Sequence, residues 1–376
     1  MMRLKEIDFL RGIAVLLVLF RHFIHFDVPF LVKRMGWAGV DLFFVLSGFL
    51  VSGLLFAEFR KNQSVRSGLF LIRRGFKIYP LFYLMVAIEL AKVVYFKLSA
   101  GVWTQAPSNI LGEIFFLQNY WHHIFDHTWS LAVEEHFYFS LALAVFLLAK
   151  FKQLENMRLC MGLFVVVAVA CFSMRLFNYL SYDDAQRLAV NLVSREFNRT
   201  HHFPTHLRID SLLAGTALAY QYHFNRERTV AFFQTHKTVL SLVAVACLMP
   251  LFFFLEKTFY MNTFGLSLLY VGFGIVLMLF VTSKNTTQIL VKIFSKPVCW
   301  LLTTIGFYSY SIYLWHIMVR DNLVHYIFHT LTHDRMHIVP HFIVYALACI
   351  SIGILMSKLI ETPCLKIRDK YFPRRT

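Results

Sequence analysis

The chain has 376 residues, 58% of them hydrophobic and 17% aromatic, with a formal charge of +16 from 37 Lys+Arg against 21 Asp+Glu. Only 15% of the residues are charged, against about a quarter in a soluble domain, and long runs carry no charge at all, which excludes an ordinary soluble globular protein. The basic residues lie in short clusters between apolar runs, the pattern that orients a membrane protein, so nucleic acid is not an expected partner.

A membrane-crossing helix needs about 20 mainly apolar residues. Ten stretches qualify, at approximately residues 6–26, 36–58, 78–98, 128–150, 159–180, 207–223, 238–256, 263–282, 298–319 and 338–360. The first follows Arg3 and Lys5 as a signal sequence would, but it contains Arg11, Arg21 and His22 and lacks a small-residue cleavage site, so it is expected to remain as a span. Residues 109–121 form an apolar stretch that includes a Glu and is too short to cross, which predicts a re-entrant or internally buried segment. With the N-terminus cytoplasmic, the inner segments hold 22 Lys and Arg, far more than the outer ones. The expected fold is therefore all-α, a polytopic transmembrane helical bundle of about ten spans with both termini cytoplasmic, in one domain over residues 1–376. The cysteines lie in or beside apolar stretches with no CxxC, which predicts neither a disulfide framework nor a cysteine metal site.

Charges inside spans cost several kcal/mol unless paired or wet, so each marks a candidate site. In the first span Arg11 and His22 are three helical turns apart, on one face and about 16 Å from each other. Snorkelling of both to the two interfaces is the alternative to a functional pair. The second span holds Asp41 and Ser47 among apolar residues, with Gly48 and Gly53 as contact positions. In the fourth, Ser130, Glu134 and Tyr138 repeat every four residues on one face, and Glu135 points elsewhere. The sixth carries Arg208 and Asp210, and the ninth places Tyr313 and His316 one turn apart. His22, Asp41, Glu134, Asp210 and His316 fall at similar depth, which predicts one polar chamber. The connection at 59–77 is strongly basic and reads either as a topology and lipid-binding loop or as a phosphate site. His325, His329, His333 and His337 recur every four residues in an outer connection.

The strings IDFLRGIAVLLVLFRHF, GVDLFFVLSGFLVSGLL, RRGFKIYPLFYL, HTWSLAVEEHFYF, RIDSLLAG and YSYSIYLWH, followed by IETP, stand in this order along the chain. The ordered set resembles the acyltransferase family 3 membrane proteins over nearly the whole sequence. The resemblance implies a ten-helix enzyme of a bacterial-type inner membrane that moves an acyl group, most commonly acetyl from cytosolic acetyl-CoA, to a hydroxyl of a glycan or lipid-linked glycan such as O-antigen. It implies catalytic roles for Arg11, His22, Asp41 and Glu134, with Glu135 as the alternative to Glu134. It also implies a donor site at Arg73, Arg74 and Lys77, where Lys77 replaces the second Arg of the family's Arg-x-x-Arg and loses its bidentate fork. Ser130, Arg208, Asp210, Tyr313 and His316 are the expected substrate-chamber residues, membrane lipid is an expected partner, and no metal is expected. The extracytoplasmic hydrolase-like domain of some relatives has no counterpart among these strings.

In the reading this resemblance supports, His22 removes the acceptor's proton, oriented by Glu134 or Asp41, or is itself transiently acylated. A secondary transporter, or an acyl exporter without glycan transfer, is the competing class, but inverted repeats and spans broken at mid-membrane are missing from the sequence.

Overall fold

The computed structural model describes residues 5–23, 35–121, 124–181, 198–254, 258–283, 285–331 and 338–374. Among these residues the structure is helical, with no strand. The helices that position the site are α1 (Lys5–His22), α2 (Ala38–Asn62), α3 (Ser67–Ala100), α4 (Pro107–Ile114), α5 (Trp129–Lys150), α6 (Met157–Leu180) and α7 (Thr205–Phe224). They are followed by α8 (Arg226–Thr235), α9 (Lys237–Phe253), α10 (Met261–Thr282), α11 (Thr286–Phe294), α12 (Lys296–Phe307), α13 (Ser309–Met318) and α14 (Val339–Tyr371). His333 and His337 lie outside the described residues.

Among the described residues five helices (α2, α5, α6, α10 and α14) are long and apolar enough to cross a membrane, and seven crossings result if the bent pairs α8–α9 (81°) and α11–α12 (115°) each count as one. The protein is a multi-pass membrane protein. Helices α1, α3 and α7 carry Arg11, the Arg73–Lys77 cluster, and Arg208 with Asp210, so the groups that line the interior are the same ones that lower their hydropathy. α6 shows the opposite face of the bundle: its apolar window is only 11% buried, as expected of a helix surrounded by lipid.

The basic stretch 59–77 is not a loop. α2 runs to Asn62 and stops where Gln63 adopts a left-handed conformation (φ 52), and α3 begins four residues later. Hydropathy marks where a chain leaves the apolar layer, whereas SGLFLIRRGFK has ordinary helix propensity and simply extends α3 beyond it. Arg73, Arg74 and Lys77 are thereby fixed on a rigid helix. The short stretch 109–121 does not cross; α4 has eight residues, and its Glu113 and the following Gln118 and Asn119 are fully buried.

α2 lies at the centre, packed on α1, α5, α7 and α10. Lipid tails are as apolar as leucine, so close backbone approach has to supply much of the packing energy. It does so at two crossings. A Cβ on Gly48 of α2 would sit 1.9 Å from the Leu212 carbonyl oxygen of α7, and one on Gly306 of α12 would sit 1.7 Å from that of Asp8 in α1. Gly306→Ala must push α1 and α12 apart and is expected to cost about 1–3 kcal/mol of overpacking. Gly162→Ala on α6 meets open space and should be neutral or stabilising. Thermal unfolding of the detergent-solubilised variants checks both.

Candidate functional site: a basic vestibule, a polar chamber and a histidine cluster

Two cavities meet at α3. The outer one, a vestibule of about 610 Å³, is lined by Lys61, Arg73, Arg74, Lys77, Arg368 and Arg374, with the carboxylate of Glu58 beside them. The inner one, a chamber of about 150 Å³, is lined by Arg11 of α1, Ser47 of α2, Ser130 and Glu134 of α5, and Tyr310 and Tyr313 of α13, together with Arg74 and Lys77. Arg74 and Lys77 belong to both walls and form the neck between them.

One turn of α5 builds the chamber's carboxylate centre. Glu134 and Tyr138 are four residues apart, and the Tyr138 hydroxyl donates to Glu134. That phenol oxygen accepts from Arg74 Nη2 at 2.7 Å and lies 2.8 Å from Ser47 Oγ. The Arg74 guanidinium also stacks 4.4 Å from the Tyr138 ring centroid. The phenol thus relays the cation to the carboxylate, a charge-assisted network that fixes both. Lys77 is held by Glu361, whose second oxygen accepts from Ser357 at 2.8 Å. Glu135 faces away and accepts from Tyr79 at 2.9 Å. Arg11 reaches Asp8 at 3.6 Å.

Beyond the chamber stands a group of three imidazoles from three parts of the chain. His22 ends α1, His127 precedes α5, and His316 lies on α13. The His22 and His316 ring centroids are 4.8 Å apart, as are those of His127 and His316. Backbone carbonyls assign the tautomers, since a carbonyl can only accept. His316 Nδ1 donates to Tyr313 O at 2.5 Å, leaving its Nε2 as an acceptor. His22 Nδ1 donates to Val18 O at 3.0 Å and faces His316 Nε2 at 3.2 Å, so His22 Nε2 carries a lone pair. His127 donates through Nε2 to Leu314 O at 3.0 Å. Among the described residues no set of three or more His, Cys, Asp or Glu is arranged to hold a metal.

Tyr313 and Ser130 separate the chamber from the imidazoles. Their hydroxyls are 2.6 Å apart, both line the chamber, and the Tyr313 ring lies 5.6 Å from that of His127. Tyr313 also donates to the His127 carbonyl at 2.7 Å. Arg320 closes the cluster's far end through a 2.9 Å bond to the His22 carbonyl.

The five groups expected in one chamber separate into three. Glu134 lines the chamber, and His22 and His316 share the imidazole cluster. Asp41 and Asp210 belong to neither; Asp41 pairs with Arg208 at 2.7 Å, and Asp210 pairs with Arg175 of α6 at 2.8 Å. Arg208 is further sandwiched 5.5 Å from the Trp129 ring and 5.8 Å from Phe44. A fully desolvated carboxylate takes the nearest guanidinium, and that preference holds both aspartates away from His22. Glu134 is engaged with Tyr138, so neither carboxylate hydrogen-bonds the His22 imidazole.

His127 is not among the candidates read from the sequence; its signal is its position two residues ahead of Trp129 in the HTWSL string. Glu113 was hidden in the short stretch after α3. Its carboxylate accepts from Thr128 Oγ at 3.0 Å and from the Ile124 and Phe125 amides at 3.1 and 3.3 Å, which shapes the turn carrying His127.

Comparison with known proteins places these elements in a family. The family model described as an acyltransferase domain matches residues 4–358. A peptidoglycan O-acetyltransferase, OatA, of Listeria monocytogenes is 30% identical over 329 residues, covering 83% of this chain and 48% of the relative. An O-acetyltransferase, OatA, of Staphylococcus aureus is 27% identical over 337 residues, covering 83% of this chain and 50% of the relative. The chain thus spans about half the length of these curated relatives. No solved structure matches it.

Proposed function

The chain belongs to the membrane acyltransferase family 3, and on that premise we propose that it is an O-acetyltransferase carrying acetyl from cytosolic acetyl-CoA to a hydroxyl of a cell-envelope glycan. The observation that carries this reading is the junction of the two cavities at Arg74 and Lys77. A ligand with a polyanionic head and a long neutral arm suits a basic vestibule that narrows into a small polar chamber, because phosphate is held best by charge-assisted bonds. In this reading ten spans with both termini cytoplasmic, in a bacterial inner membrane, put the vestibule on the cytoplasmic side and the imidazoles toward the outer side, with membrane lipid around the bundle.

The phosphates of the donor dock at Arg73, Arg74 and Lys77, and the arm passes the neck toward Glu134 and Arg11. The acceptor hydroxyl approaches His22 from outside. His22 Nε2 takes the hydroxyl proton as the oxygen attacks the thioester carbonyl; the C–S bond breaks and the departing thiolate takes the proton back from the imidazolium. A two-step variant, in which His22 carries the acetyl group between a donor and an acceptor half-reaction, uses the same atom. The tautomer fixed by Val18 and His316 supports Nε2 as that atom. Arg11, beside Asp8 and three turns from His22, lines the chamber through which the donor's arm passes. Asp41, Asp210 and Arg208 hold the helices that carry the site. Peptidoglycan and O-antigen both present suitable hydroxyls, and the Listeria relative's name refers to the first.

Purified protein in proteoliposomes, supplied with labelled acetyl-CoA and a glycan acceptor, tests this reading. Arg74→Ala is expected to raise the KM for acetyl-CoA by about ten- to a hundredfold, the loss of one charge-assisted contact of about 1.5–3 kcal/mol, with Arg74→Lys in between. An unchanged KM in Arg74→Ala removes the donor assignment. Substrate flux without CoA release would identify a transporter instead.

A further inference from the structure

The family model ends at residue 358, yet the vestibule continues past it. α14 extends to Tyr371 and folds against α3, with the Phe76 and Phe372 ring centroids 5.6 Å apart. Arg73 Nη2 bonds Asp369 at 2.8 Å and Arg73 Nη1 donates to the Phe372 carbonyl. The tail is thus pinned over the cavity, and it adds Leu365, Arg368 and Arg374 to the wall.

These two arginines are brought toward cations, not away from them. Arg73, Arg368 and Arg374 crowd one end of the vestibule, where the carboxylate facing them is Asp369, bonded to Arg73 and 2.9 Å from Arg368 Nη2. Burial, and after it the charge of Arg73, hold the Arg374 guanidinium below its ordinary range. Among the described residues neither Lys61 nor Arg374 makes an ion pair. Like charges assembled around a cavity of about 610 Å³ cost energy unless an anion of several charges enters it.

We infer that the segment after the last span is part of the donor site: Arg368 and Arg374 extend the vestibule wall beside Arg73 and bind phosphate oxygens of the donor's nucleotide. The inference rests on the acyl-CoA reading above and adds to it residues that the family's own strings do not contain. The shared chemistry is phosphate, which a soluble nucleotide or an anionic lipid headgroup supplies, and the two sources are separable.

The test uses the full chain in nanodiscs of neutral phosphatidylcholine, with CoA binding measured by calorimetry and acetyl-CoA turnover by release of CoA. Arg368→Gln and Arg374→Gln are each expected to weaken CoA binding about tenfold and to raise the KM for acetyl-CoA by a similar factor, with kcat changed less than twofold. Arg374→Lys should restore most of the affinity. A merely structural tail would lower kcat or the amount of folded protein and leave the KM alone. Wild-type binding of CoA with unchanged affinity in both Gln variants overturns the inference and leaves the donor reading standing. Wild-type protein that binds no CoA in neutral discs, but whose tail arginines respond to added phosphatidylglycerol, overturns both.

Discussion

Replacing His22 with alanine is expected to reduce acetyl transfer by about 10²–10⁴-fold, the usual worth of a positioned general base. Val18 O and His316 Nε2 both face His22 Nδ1, at 3.0 and 3.2 Å, so the proton resides there and Nε2 is left as the nucleophilic or basic atom. His22→Gln keeps a polar group of similar length but no comparable base, and should fall with the alanine variant. His316→Ala should cost less, because it removes one of two acceptors on Nδ1 and leaves the Val18 carbonyl in place. Among the described residues the His22 side chain makes no ion pair, so the unfolding temperature of His22→Ala should stay close to wild type. Near wild-type turnover in His22→Ala would end its assignment as base or acyl carrier.

The largest effect on stability should come from Asp41→Ala. Asp41 and Arg208 are fully buried, with their side chains 0% and 1% exposed and 2.7 Å apart. Removing the carboxylate strands the guanidinium between Trp129 and Phe44, and breaking a buried pair in this way costs about 3–5 kcal/mol. The double change Asp41→Leu with Arg208→Met removes both charges and is expected to recover most of that loss. The pair of measurements separates structure from chemistry. If Asp41 were an orienting group for His22, the double variant would be stable and inactive; as a helix tie, it should be stable and retain transfer.

Much of the site was legible because helix periodicity is local. Ser130, Glu134 and Tyr138 recur at four-residue spacing, and the structure puts Ser130 and Glu134 on the chamber wall with Tyr138 bonded behind them. The same rule aligned Tyr313 with His316. What the spacing did not carry was the partner of each charge. Depth along the spans groups Asp41 and Asp210 with the chamber, but Arg175, the cation that takes Asp210, sits in an apolar run of α6 with no periodic partner to mark it. His127 was obscured for a related reason, since its place beside His316 depends on a turn shaped by Glu113, 14 residues upstream. The basic stretch 59–77 misled in another way. Charge density describes where a segment sits relative to lipid, and the helix passes through that boundary without stopping.

In the proposed reaction one molecule joins a donor on the vestibule side to an acceptor on the imidazole side. The most direct measurement uses sealed proteoliposomes of oriented protein, with labelled acetyl-CoA added only on the vestibule side and a glycan acceptor enclosed on the other. The expected result is labelled acetyl ester on the enclosed glycan, with one CoA released on the donor side for each ester formed and both lost in His22→Ala. Labelled glycan without CoA release, or CoA release that is indifferent to the enclosed acceptor and to His22, would contradict it.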